Sequence, residues 1–411
     1  KLMASRSTEE IARLRGQIFM AEQARWATPL SVLKSKPLEI TPLDRVQRGL
    51  PAATALLEYV SADPNSYCLM ITRTSRRIVR LGGKQRIEAR VHDYLKNVKS
   101  KMSAAEDARE LYDALLGPMG VAQYRNLLIV RDGQLHLLPF DALRDPSGRF
   151  VVEVQNVVYG PSATSLFMLA HHPVQATTPA NALLAVGGIP YSASRVDRSG
   201  IGRGPDHGHF ADLPSSGDEV EIARAALKSG KSAALTGISA TEAAFKAEDL
   251  SNYRVLHLAV HAFADTTFPE RAALVLLSDR SAGEDGYLQA SEVVQLRLNA
   301  DLVVLSACDT AVGPLQGQEG IANLSQAFLL AGARTVVSTL WEVNDASSLF
   351  LMKHFYTHLV ENQPAASALT AAKRDMLRTF GRKTPPYQWA GFTIEGAATR
   401  PLFDNRSEEK K

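Results

Sequence analysis

The stretch Asp301–Thr310, DLVVLSACDT, joins six residues fit for a sheet interior, Leu302 to Ala307, to a cysteine, an aspartate and a threonine. A buried strand ordinarily ends in turn residues; this one ends on a nucleophile. A second apolar run, Arg254–Val260 in RVLHLAV, stops at His261, 47 residues before Cys308. Around these runs strands and helices alternate. The pattern predicts helix Gly217–Leu227, strand Ala233–Leu235, helix Ala240–Ala247, strand Arg254–Val260, strand Ala272–Leu277, helix Ala290–Leu296 and strand Leu302–Ala307. Helix 319–331, strand 334–340 and helices 345–361 and 364–380 follow. Such alternation implies an α/β fold with a mostly parallel sheet flanked by helices. Chemistry on such sheets gathers at the carboxyl ends of the strands, so parallel pairing would bring His261 and Cys308 to one rim.

That pairing has a chemical use. A cysteine nucleophile needs a thiolate, and a neighbouring imidazole supplies the base or the ion partner that produces it near neutral pH. Backbone N–H groups of Cys308 and Ala262, at the two strand ends, are the expected oxyanion donors. Taken singly, a cysteine at a strand end and a histidine in an apolar run are ordinary core residues. Taken together they match the caspase pattern, in which the histidine stands about 50 residues upstream of an Ala-Cys. Cys68, in SYCLMIT, reads as core. His257 and His261 have the spacing of a zinc-protease pair, yet the intervening glutamate is missing and the setting is a strand, so no metal is expected there. His136 and Asp141, in RDGQLHLLPFDAL, have no nucleophile nearby, and the first half reads as non-catalytic.

The rest of the chain sets bounds. Its 411 residues allow two or three domains. Lys and Arg number 46 against 43 Asp and Glu, and the basic residues are scattered, so no direct nucleic-acid binding is expected. No apolar run approaches the ~18–20 residues of a membrane span, and no secretory signal pattern stands at the start. Two cysteines make no disulfide framework, which fits a reducing, cytoplasmic setting. Lys1-Leu2 ahead of Met3 reads as an added or cut end, leaving the native N-terminus open. The expected organisation is a helical segment over 1–40, one α/β unit over 41–180 and a second over 181–411, the latter with a long exposed loop at 191–216. In the first unit, residues 54–60, 67–72 and 77–81 mix strand and helix patterns, and a helical segment runs from about Ile87 to Leu116. NLLIVRDGQLHLLPF predicts two strands joined at Asp132-Gly133 in a hairpin.

VLHLAVHA, LVVLSACDTAVG, GQEGIANLSQAFLLAGARTVVSTLWEVNDASSLFLMKHFYTHL and PPYQWAGFTIEG resemble successive blocks of the CHAT family, caspase-like cysteine peptidases related to separase and often linked to tetratricopeptide repeats. LLIVRDGQLHLLPFDALRD and YGPSATSL resemble the blocks that precede them, so the resemblance covers roughly residues 50–396. It implies a caspase-like catalytic unit in the second half, a dyad of His261 and Cys308, and a non-catalytic caspase-like unit before it. One departure is that the family usually has Gly after the histidine, where this chain has Ala262.

The resemblance further implies an endopeptidase making limited cuts in a protein partner, in bacterial defence or regulated cell death. No cofactor is expected. An activating partner, or an N-terminal repeat region beyond this sequence, is expected to order the glycine-rich segments 191–216 and 311–320. The competing class is a catalytically silent caspase-like interaction module, marked by loss of Cys308 or His261; both are present. Relatives that cut after Arg or Lys carry an acidic residue two positions before the cysteine, and here that position is Ser306. A hydroxyl does not offset the burial of a guanidinium. Unless Asp309 or Asp345 turns into the pocket, a neutral or apolar P1 side chain is therefore expected.

Overall fold

The computed structural model describes residues 41–171, 179–193, 210–228, 230–263, 272–279, 281–306 and 324–402. The expected helical segment over 1–40, most of the loop 191–216, and both Cys308 and Asp309 lie outside these residues.

The first half contains α1 (Leu43–Gly49), β1 (Thr54–Val60), β2 (Tyr67–Ile71), β3 (Arg76–Arg80), α2 (Lys84–Lys99), α3 (Ala105–Leu115), β4 (Asn126–Val130), β5 (Asn156–Gly160) and α4 (Ala163–His171). The second half begins with β6 (Asn181–Gly187), α5 (Ser216–Ala226), β7 (Lys231–Thr236), α6 (Glu242–Ala247) and β8 (Tyr253–Leu258). Three short strands follow, β9 (His261–Phe263), β10 (Ala273–Val275) and β11 (Tyr287–Gln289), and then α7 (Ala290–Val293) and β12 (Leu302–Leu305). The chain continues through α8 (Leu324–Ala331), β13 (Thr335–Thr339), α9 (Asp345–Val360), α10 (Ala365–Phe380) and β14 (Phe392–Gly396). Local chemistry explains several boundaries. The α2 helix buries Ile87, Val91, Tyr94, Leu95 and Val98 at helical spacing. The Asn344 side-chain oxygen accepts from the N–H groups of Ala346 and Ser347, starting α9.

Eleven strands form one sheet in the order β3-β2-β1-β4-β5-β14-β13-β12-β8-β6-β7. Neighbours are parallel except β1 with β2, β2 with β3, and β13 with β14. The central strands are apolar on both faces because helices cover both. Leu302 and Val304 of β12 enter one core, while Val303 and Leu305 enter the other. The β13–β14 reversal has a directional consequence. The parallel strands β1, β4 and β5 run opposite to β6, β8, β12 and β13, so the carboxyl ends of the two groups open on opposite edges of the sheet. The His136 and Asp141 segment, which follows β4, is thereby separated from the rim that receives His261.

One expectation is corrected. The hairpin return after Asp132-Gly133 is a 3-10 helix, Gly133–Leu137. A hairpin partner needs a free edge, and β4 is already paired with β1 on one side and β5 on the other. Gly133, at φ 56°, turns the chain out of the strand instead, and Asp132 Oδ2 accepts the Ser61 N–H at 2.6 Å. The predicted strand Ala272–Leu277 does form, as β10, but it stands in a separate three-stranded sheet, β11-β10-β9. Both edges of β8 are taken by β6 and β12, which leaves no place for it beside β8 in the main sheet. The main sheet runs on through both halves, joined where the C-terminal β14 pairs with β5.

The His136 imidazole is pushed down to about 3, chiefly by burial and then by the positive charge of Arg131, whose guanidinium donates to the His136 carbonyl at 2.8 Å. The folded protein therefore holds His136 neutral, while the unfolded chain protonates it below about pH 6.5. Stability should fall by up to about 1.4 kcal/mol per pH unit from this group as pH drops from that value towards 3. Urea titrations between pH 6.5 and 4.5 should show a shallower acid loss for His136→Gln than for the parent. Equal slopes would show that His136 carries none of the acid sensitivity.

Candidate active site

The strands β8 and β12 lie parallel, with Leu302 opposite Val255 and Leu305 opposite Leu258. The pairing extends past the strand ends, where the Ser306 N–H donates to the Leu258 carbonyl at 3.0 Å. On the other side of β8, the Ala259 N–H donates to the Val186 carbonyl at 2.8 Å. The ends of β6, β8 and β12 are thus level. His261 follows Leu258 by three residues; Cys308 follows Ser306 by two and lies outside the described residues. His257 points elsewhere. It is fully buried, with Nδ1 3.0 Å from the Tyr356 hydroxyl and Nε2 3.5 Å from Glu219, so His257 and His261 occupy different environments.

His261 is held from three sides. Its Nε2 lies 2.7 Å from the carbonyl oxygen of Ala211. A carbonyl only accepts, so Nε2 carries the proton and Nδ1 is left as the basic nitrogen. Its main-chain N–H donates to the Tyr191 hydroxyl at 3.1 Å, and that hydroxyl donates to the Val275 carbonyl at 2.8 Å. The ring packs edge-on to Tyr191 at 4.7 Å between centroids and against Phe210 at 5.0 Å.

The next residue, Ala262, lies in β9 opposite Leu274. Ala272 and Leu276 bond β11 through Ala290 N–H (2.8 Å) and Gly286 O (2.7 Å). Directions alternate along an antiparallel strand, so Ala272, Leu274 and Leu276 face β11 while Ala273 and Val275 face β9. His261 and Phe263 are then the β9 residues turned towards β10, and the Ala262 N–H is directed away from β10, off the outer side of β9. Ala262 is in extended backbone, not at positive φ, so the conformation is one that alanine adopts as readily as glycine.

The segment Phe210–Ser215, which supplies Ala211, is fastened at both ends. Asp212 accepts the Ser192 N–H at 2.9 Å and the Ser192 hydroxyl at 2.7 Å. These two bonds, the N–H first, hold the Asp212 carboxyl below the usual carboxylate range, and the nearby His261 acts in the same direction. Ser215 N–H donates to Asp345 Oδ2 at 2.9 Å. One oxygen of the Asp345 pocket candidate is thereby engaged in positioning this segment. Ser306 is half-buried, its N–H committed to Leu258. At the end of β6, Gly187 allows a close approach: a Cβ there would stand 2.7 Å from the Ser216 carbonyl oxygen.

The rim so built joins His261, Ala262 and Ser306 with Tyr191, Phe210 and Ala211, none of which the sequence reading singled out. Ala211 contributes a backbone oxygen, which has no signature in a sequence. Tyr191 and Phe210 are aromatic residues in or beside a span otherwise rich in Ser, Gly, Asp and Arg, the only local signal that parts of it are packed.

The CHAT domain model matches residues 105–397. Tetratricopeptide repeat protein 28 of Mus musculus is 26% identical over 334 residues, spanning 70% of this chain and 13% of the relative. The Homo sapiens protein of the same name is 26% identical over 336 residues, with the same coverage. The chain therefore matches only a small part of the length of these curated relatives. Among solved structures, the Saccharomyces cerevisiae separase–securin complex superposes with a TM-score of 0.56 at 10% identity, covering 87% of this chain and 30% of that one.

Proposed function

The chain belongs to the CHAT-domain family, and from that premise we propose that it is a cysteine endopeptidase working through Cys308 and His261. The observation that carries this reading is the level parallel ending of β8 and β12, together with a His261 whose Nε2 is committed to Ala211 and whose Nδ1 has no hydrogen-bond partner among the described residues. Nδ1 takes the proton of the Cys308 thiol. The thiolate then attacks the peptide carbonyl carbon, forming an S–C bond as the carbonyl electron pair moves onto oxygen. The N–H groups of Ala262 and Cys308 stabilise that oxygen. His261 returns its proton to the leaving nitrogen as the C–N bond breaks, giving a thioester and a free amine. Water, deprotonated by His261, then hydrolyses the thioester and restores the thiol.

The substrate in this reading is a protein with a neutral or apolar P1 side chain. Ser306 brings no charge to the pocket, and Asp345 already accepts from Ser215. Activation by a repeat region or a separate protein partner belongs to this proposal, and the repeat named in the two curated relatives is in keeping with the first of these. A role in bacterial defence or regulated cell death, in the cytoplasm, belongs to the same proposal.

Cys68 provides an internal reference for the test. It is fully buried in β2, and burial pushes its thiol up to about 12 even though Tyr59 works the other way. A low concentration of iodoacetamide probe should label Cys308 at least about 100-fold faster than Cys68 in the folded chain, because in this reading Cys308 alone is activated by an imidazole. Equal sluggishness at both cysteines would assign the groove to partner recognition without cleavage. Fluorogenic peptides differing only at P1 should be cut best with neutral or apolar side chains. A strong Arg/Lys preference that vanishes in Asp345→Ala would refute the pocket assignment while leaving the peptidase reading intact.

A further inference from the structure

His354 and His358 stand one helical turn apart on α9, so both rings leave the same face. They meet Asp375, which projects from α10. His354 Nδ1 is 2.9 Å and His358 Nε2 is 2.7 Å from the same carboxylate oxygen, Asp375 Oδ2. The three ligand atoms all lie within 4.8 Å of one another. We propose that His354, His358 and Asp375 form a Zn2+ site that clips α9 to α10, apart from the rim carrying His261.

Two imidazoles and a carboxylate are the donor set that zinc takes at about 2.0–2.2 Å, with a water in the fourth tetrahedral position. Ligand atoms at such bond lengths are roughly 3.3 Å apart, so Asp375 Oδ2 has to draw back about half an ångström from each nitrogen, and the two nitrogens, within 4.8 Å of one another, have to settle at similar spacing. The side chains are 32%, 19% and 14% exposed, for His354, His358 and Asp375 respectively, which leaves an entry path from solvent.

Groups behind the ligands are already arranged for coordination. Asp375 Oδ1 accepts from Arg378, leaving Oδ2 to face the two histidines. Three cationic or imidazole groups, His354, His358 and Arg378, already converge on the Asp375 carboxylate. The His354 ring is stacked on Phe350 at 4.2 Å, which fixes its plane. On His358 the other nitrogen, Nδ1, is 3.3 Å from Glu361 Oε2. With Nε2 on an ion, Nδ1 would hold the ring proton and direct it to Glu361 Oε2, with the Gln363 amide that now also stands 3.3 Å from Nδ1 turning aside, giving the carboxylate–histidine–metal arrangement that orients a zinc ligand. A second acidic cluster, Glu242, Glu284 and Glu292, lacks this character. The Lys246 ammonium already lies between its carboxylates at 2.7, 2.8 and 2.7 Å, where a cation would sit.

The test is a calorimetric titration of Zn2+ into the chain after chelator treatment, with thermal melts in parallel and Co2+ as a spectroscopic substitute. One Zn2+ per chain should bind and raise Tm. The variants His354→Ala and His358→Ala should each weaken binding by more than the roughly 10–100-fold typical of losing an outer partner, and Glu361→Gln by about 10-fold. Asp375→Asn, which keeps the side-chain size, gives a second route should an alanine variant melt early in chelator. The Co2+ form should show visible bands of tetrahedral type without thiolate charge transfer. Unchanged affinity in the His354→Ala/His358→Ala double variant, absence of binding at micromolar Zn2+, or a thiolate band that disappears with Cys308→Ala would each overturn the site.

Discussion

Cys308→Ala is expected to reduce peptide cleavage by at least about 10^4-fold, and His261→Ala by a similar factor, with no further loss in the double variant. Nucleophile and base act as one unit: without the imidazole the thiol stays protonated, and without sulfur the imidazole has no proton to take. Neither change removes much of the core, since His261 is only half-buried and its ring rests on Tyr191 and Phe210 at one margin. Thermal melts should therefore stay close to the parent. The comparison with Tyr191→Phe separates chemistry from positioning. Losing that hydroxyl removes the bridge between His261 N–H and Val275 O but leaves both reacting groups, so kcat should fall far less than in His261→Ala. Full cleavage by a folded Cys308→Ala variant would end the peptidase assignment.

How much of this could be read from residues alone depends on where each interaction is written. The strands β8 and β12 were legible because both faces of each are largely buried, which imposes mostly apolar runs that stop where the chain reaches the rim. Their parallel pairing followed from the alternation of strands and helices. The fate of residues 132–138, and the sheet that residues 272–277 join, were not legible, because both segments carry sound strand chemistry. What decided them was the occupancy of neighbouring edges, and that is a property of the assembled sheet. The orientation of His261 was illegible for another reason. It is set by the Ala211 carbonyl, a group every residue possesses, presented by a segment that Asp212 and Asp345 hold through backbone N–H groups of serines. Nor does a sequence place Arg131 beside Glu395, 264 residues apart, although that contact joins the halves that the sequence separates into two units.

That contact carries the largest expected effect on stability. Arg131 NH2 lies 2.5 Å from Glu395 Oε1, with the side chains only 3% and 4% exposed, and the guanidinium also covers the Tyr159 ring at 3.9 Å. Glu395 belongs to β14, the strand through which the C-terminal half joins β5. Arg131→Met would leave the Glu395 carboxylate buried without its cation and is expected to destabilise the fold by about 3–5 kcal/mol. Replacing both partners, Arg131→Met with Glu395→Met, removes the stranded charge and should recover a large part of that loss, since a buried pair is often no more stabilising than apolar groups of similar size. Urea unfolding of the parent, both single variants and the double variant gives the coupling directly. A strongly favourable recovery in the double variant would mean that the pair holds β14 in register chiefly by making alternatives unfavourable. Additive losses would mean instead that each side chain supports the junction through separate contacts, Arg131 through Tyr159 and the His136 carbonyl, and Glu395 through its place between β13 and β5.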